Sequence, residues 1–214
     1  SRQDKAFIYA QRLEAACSIK NVPWAVGRFL SYATCLVFLL LNRAPKRSLR
    51  WICCLLFPGY DLRTNWLHLK ACLFGQYWHN IRSCAKFPIL MLLSSKNPSQ
   101  ELLSIGLAGY TISYAGHSLI GNLTMRRVIG VARKIGAEDV SLALHTHLAI
   151  GYQMAARPLK TLALYEEFLR ECKSIPSFYE LLMSANKTSL SLTDLGPCEG
   201  QKAINDSFKK SFSL

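Results

Sequence analysis

Apolar positions recur every three or four residues along almost the whole chain. Sustained alternation, the mark of a half-buried strand, is absent, so the pattern predicts an all-α protein. Over 3–20, Phe7, Ile8, Ala10, Leu13, Ala16 and Cys17 fall at helical spacing with charges between them, which is an amphipathic helix. Pro23 closes that helix and opens the next with its fixed φ. Over 24–41 the only charge is Arg28, and a basic loop at 43–47 then leads to a short apolar helix at 48–57 and a turn at 58–60. Further helices are expected at 62–79, 80–94, 99–120, 122–136, 138–155 and 157–173, with punctuation at Pro88, at Asn97 with Pro98, at Gly121 with Asn122, at Gly136 and at Pro158. Short links between long helices imply antiparallel neighbours. The chain thus divides into an N-terminal basic, apolar helical segment (1–60), a region of paired helices (61–184) and a polar C-terminal tail (185–214) with one further helix at 201–212.

The stretch 24–41 admits two readings. Eighteen residues lie near the lower limit for crossing about 30 Å of hydrocarbon, and Arg28, Ser31 and Thr34 interrupt the apolar run. As a buried helix it would be covered by 3–20 on one side and by 48–57 and 62–79 on the other, with Arg28 at a hydrated edge. As a span or interfacial helix it would be left uncovered, with Arg28 snorkelling from one end.

With 214 residues the chain can bury a core without metals or disulfide staples. Half the residues are apolar and 18% are charged, with a mean hydropathy of +0.14, which excludes disorder for most of the chain and implies that part of it meets another apolar surface. Because the chain opens on Ser1 rather than Met, it is expected to be a piece or processed product of a longer protein. The net charge of +13 is concentrated: residues 15–100 hold eleven Lys and Arg against the single acid Asp61. Such a half-chain attracts anionic partners, namely phospholipid headgroups, nucleic-acid phosphates or an acidic protein face.

Eight cysteines (Cys17, Cys35, Cys53, Cys54, Cys72, Cys84, Cys172 and Cys198) are scattered through apolar runs with no CxxC and no Cys/His cluster. They read as small buried hydrophobes carrying free thiols, which suits the cytosol. The glycosylation triplets at 122–124, 186–188 and 205–207 follow no signal peptide and carry no weight. No P-loop string and no GxSxG elbow occurs, and Gly106, Gly109, Gly116 and Gly121 read as close helix packing rather than a phosphate cradle. His145 and His147, two apart on a helix, point about 200° from each other and cannot share one metal. Glu166, Glu167 and Glu171 read as a solvated face beside Arg170 and Lys173. Trp51, Tyr60, Trp66, Tyr77 and Trp78 interleave with the bases in a manner that could stack nucleotides, but aromatics at helical spacing are more often core and no nucleic-acid module is visible.

Gly121 and Ala156 read as equivalent small-residue turns 35 residues apart, close to the period of about 34 residues of tetratricopeptide helix pairs. In the second pair Leu148, Ala149 and Tyr152 take the helix A positions, Ala156 the turn and Tyr165 the helix B aromatic, with Phe168 and Leu169 completing the seam; Gly75 and Tyr77 look like a degenerate earlier copy. With residues 97–102, 125–136 and the helix-capping Glu138 and Asp139, the stretch 63–173 resembles the divergent tetratricopeptide-like region of multidomain signalling proteins that join a cyclase or kinase to a signal-transduction ATPase. The resemblance covers about half the chain, and Gly130 and the absence of Trp from helix A depart from the motif. It implies antiparallel helix pairs stacked as a short α-solenoid.

The expected function is therefore a non-catalytic helical-repeat scaffold that takes a protein or peptide partner, with Arg43, Lys46, Arg47 and Arg50 steering an acidic partner or an anionic membrane surface. No cofactor or metal is implied, and nucleic acid is disfavoured as a partner. The alternative is a membrane-associated protein anchored through helix 24–41 and the basic patch at 43–50. An enzyme with a site assembled from helices is the background reading.

Overall fold

The computed structural model describes residues 8–12, 14–15, 23–56, 65–76, 84–154, 157–171 and 202, and among them there are helices and no strand. The helices are α1 (Trp24–Leu41), α2 (Lys46–Leu56), α3 (Trp66–Gln76), α4 (Phe87–Ser94), α5 (Pro98–Tyr114), α6 (Ser118–Lys134), α7 (Glu138–Met154) and α8 (Pro158–Glu171). Residues 8–12 and 14–15 are helical as well. The all-α class is as the periodicity predicts. The proposed turn at Ala156, Tyr77, the seam residues Phe168 and Leu169, the turn at 58–60 and the tail at 185–214 lie outside the residues or side chains described, apart from Lys202.

Element ends follow from local chemistry. Pro23 precedes α1, and Asn42 ends it in the left-handed region (φ 53°), its N–H donating to Phe38 O. Asn97 caps α5 by accepting from Gln100 N at 2.9 Å, while the Gln100 side chain accepts from Lys96 N and Pro98 supplies the first helical residue. The helix predicted at 99–120 stops at Tyr114, and Gly121, read from sequence as a turn, lies inside α6. Gly116 makes the break. At φ 97° it lets its own N–H reach Ser113 O and His117 N–H reach Ile112 O, a Schellman closure. Gly136 (φ 74°) repeats it, with Gly136 N bonded to Arg133 O and Ala137 N to Ala132 O. Helices α5 to α8 begin at Pro98, Ser118, Glu138 and Pro158, each 20 residues after the last, a spacing that differs from the 35 residues between Gly121 and Ala156.

Two compact units result, Ser1–Leu144 and His145–Leu214. In the first, α4 and α5 form the centre: Phe87 to Leu93 and Leu102 to Ile112 are buried without interruption. Helices α1, α4 and α6 pack on α5, and α3 and α2 pack on α4. Small residues permit the closest approaches, since a Cβ on Gly109 would lie 2.8 Å from Gly121 O and one on Gly106 would overlap the Leu144 side chain. The polar groups of α5 are satisfied inside the core: Ser104 donates to Gln100 O and accepts from Trp66 Nε1, and Thr111 donates to Ala108 O. In the second unit Leu148, Ala149, Tyr152, Leu164 and Tyr165 are buried, and Thr161 donates to Ala149 O between α7 and α8.

Candidate interaction surface

Helix α1 is seated through its small and polar side. Gly27, Leu30, Ser31, Thr34, Cys35 and Phe38 are buried against α4, α5 and α6. Gly27 lies so close to the backbone of Lys86 that a Cβ there would come within 2.5 Å of its Cα. Ser31 donates to Ala85 O at 3.0 Å, and Cys35 joins Ala108 and Ile112 in a core cluster bordered by Tyr32 and Ile120. The outward side is apolar: Phe29 is 69% exposed, Leu40 81% and Leu41 66%, and Trp24 and Leu36 are also exposed. Val26, Phe29, Ala33, Leu36 and Leu40 are spaced three, four, three and four residues apart along this side of α1, a heptad spacing of apolar positions.

The covering expected from sequence is therefore corrected. Among the described helices α1 packs chiefly on α4, α5 and α6 rather than on α2 and α3, with Phe29, Leu40 and Leu41 exposed, while the cover expected from 3–20 lies largely outside the described residues. Arg28 is not a freely hydrated edge residue either, because its Nη2 donates to Ala115 O at 2.9 Å and lies 3.1 Å from His117 Nε2.

The basic patch separates into two kinds of residue. Arg43, Arg47 and Arg50 are exposed, and Arg127 Nε, 3.3 Å from Asn42 Oδ1, brings a further cation to the same corner. Lys46 is committed to the fold: its Nζ donates to Ser95 O at 2.6 Å, to Ser95 Oγ at 3.0 Å and to Glu101 Oε1 at 2.9 Å. Lys46 and Arg47, assigned from sequence to a loop, form the first turn of α2. That helix seats Leu49 and Cys53 and turns Arg47, Arg50, Trp51, Cys54 and Leu55 to solvent. Charge patterning alone found the arginines; the seam of α1 and the outward Trp51 and Leu55 were missed, although the 3.5-residue spacing over 26–40 was a legible signal for the seam.

Burial disfavours the thiolate at three of the described cysteines. Burial pushes Cys35 up to about 12, against a weaker lowering by its hydrogen bond with Thr124. Burial, reinforced by the Glu14 carboxylate, does the same to Cys84, and burial followed by the neighbouring Cys54 lifts Cys53 to about 11. Glu14 and Lys86 form a buried ion pair beside Cys84. Among the described residues no group of three His, Cys, Asp or Glu is placed to hold a metal ion. Asn122, the first of the glycosylation triplets, is buried and accepts from Ser113 Oγ. Comparison with protein-family models, with curated proteins and with solved structures finds no match.

Proposed function

We propose that the protein is a non-catalytic helical-repeat scaffold whose docking element is the outward seam of α1, and that its partner is an acidic amphipathic helix. The observation that carries this reading is that seam: five apolar residues at heptad spacing, on a helix anchored along its opposite face, with Phe29 and Leu40 more than two-thirds exposed. Charge complementarity sets the partner's sign. Between 23 and 56 there is no acid, and Arg43, Arg47 and Arg50 stand exposed just beyond the C-terminal end of the seam. The regular succession of α5 to α8, which begin 20 residues apart, suits a helical-repeat sequence over 98–171, with a 40-residue pair longer than the tetratricopeptide period of about 34. Free thiols at the described cysteines suit a cytosolic setting, and the resemblance of 63–173 suits a part of a larger signalling protein.

A second reading has its own support. Helix α1 is long and apolar enough to cross a membrane, with a mean hydropathy of 1.7, and exposed Trp24 and Trp51 with the arginines suit an anionic bilayer surface. The two readings separate in one fluorescence-anisotropy titration series with the full chain. A labelled three-heptad peptide with Leu at a and d and Glu at e and g should bind, and its affinity should fall as salt rises. The same peptide with Lys at e and g should bind at least tenfold more weakly. Equal binding of the two peptides, or none of either, overturns the proposal, and binding only to vesicles containing phosphatidylserine makes the membrane the occupant.

A further inference from the structure

A cleft of about 430 Å³ opens between the N-terminal turns of α1 and the break that joins α5 to α6, lined by Trp24, Ala25, Arg28, Phe29, Tyr32 and His117. Four of the six are aromatic rings and one is a cation; no carboxylate lines the cleft, and none among the described residues pairs with Arg28. Its volume falls within the range of small-molecule sites, about 300–1,000 Å³.

The cation is held in place. Arg28 Nη2 donates to Ala115 O, the carbonyl at the end of α5, and contacts His117 Nε2. A guanidinium only donates, so the contact is a hydrogen bond in the His117 tautomer whose Nε2 accepts. Tyr32 meets the same imidazole edge to face, with ring centroids 5.1 Å apart. Two interactions thus occupy Nη2 and fix the plane of the guanidinium, while Nε and Nη1 make no hydrogen bond to the described residues. Both two-donor edges of a guanidinium include Nη2, so Nε and Nη1 remain as single donors, either of which can give one charge-assisted N–H bond to a carboxylate oxygen.

We infer that this cleft is a binding site for a small planar aromatic carboxylate, whose ring lies among Trp24, Phe29 and Tyr32 and whose carboxylate meets Arg28. A monoanion suits a site with one cation, and the half-buried setting of Arg28 among rings strengthens the pairing relative to open water. The site shares Phe29 with the seam of α1 but does not rest on Leu36 or Leu40, so the two readings are tested at different residues.

Isothermal titration of the full chain with 2-naphthoate and with its neutral counterpart 2-naphthylmethanol tests the inference. The carboxylate should bind at least tenfold more tightly than the alcohol, Arg28→Gln should abolish that preference, and Trp24→Ala should weaken both compounds. Equal affinity of the two compounds in the unaltered protein overturns the inference without recourse to any variant. So does the absence of saturable binding, or a preference that survives Arg28→Gln. Leu40→Glu should leave naphthoate binding unchanged, which keeps the outcome separate from that of the peptide titration.

Discussion

Gly109 and Gly121 bring α5 and α6 closer together than any side chain would permit: a Cβ on Gly121 would lie 2.2 Å from the carbonyl oxygen of Gly109 and 2.0 Å from Ser113 Oγ. Substituting Gly121 by Ala should therefore cost stability, by about 1–3 kcal/mol from overpacking against backbone that has nowhere to retreat. Gly130, on the same helix, supplies the control, since a Cβ there meets nothing within 4 Å. Gly130→Ala should stabilise the protein by about 0.5–1 kcal/mol through helix propensity alone. Urea midpoints that move in opposite directions for the two variants support this packing; a shift of the same sign for both contradicts it.

Helix class was legible in the 3.6-residue periodicity, and the bounds of α1 were legible because Pro23 and Asn42 punctuate both of its ends. The α5–α6 break was misplaced because glycine serves two purposes: Gly116 adopts a backbone that other residues resist, whereas Gly121 provides the space for a close helix crossing. Sequence spacing does not separate these uses. The seam of α1 was hidden for a related reason. The helix is apolar nearly all round, and its inward face carries Ser31 and Thr34, so periodicity could not tell which side the rest of the protein covers. Lys46 looked like its neighbours Arg47 and Arg50 because its partner, Glu101, is 55 residues away.

Lys46 should behave differently from the other three members of the basic patch. Lys46→Ala removes bonds to Ser95 and Glu101 from a partly buried ammonium and should lower stability by about 1–2 kcal/mol. Arg47→Ala should change it by less than about 0.5 kcal/mol. Thermal unfolding midpoints compare the two directly. In binding the order should reverse, with Arg47→Ala reducing the association rate with an acidic peptide at low salt.

Alkaline pH should loosen the first unit. Cys35 and Cys84 are raised from 9.0 to about 12 and Cys53 to about 11, so each thiol holds its proton more tightly folded than unfolded. Their contribution is complete below about pH 9 and is lost as pH rises through about 11 to 12. Buried Tyr165, also raised to about 12, acts in the same direction in the second unit. A urea midpoint that falls steeply above pH 9, and less steeply in Cys35→Ala, is the expected result; no change in slope contradicts it. In the native protein at neutral pH, iodoacetamide should modify exposed Cys54 before Cys35, Cys53, Cys72 or Cys84, as read by peptide mass spectrometry.

The seam itself is tested by placing charge on it. Leu36 and Leu40 face solvent, so Leu36→Glu combined with Leu40→Glu should leave the far-ultraviolet spectrum unchanged and the thermal midpoint within a few degrees. The deciding measurement is the anisotropy titration of this double variant against the Leu/Glu heptad peptide. An affinity at least tenfold below that of the unaltered chain is the result expected of a docking seam on α1, and an affinity equal to it would contradict the account.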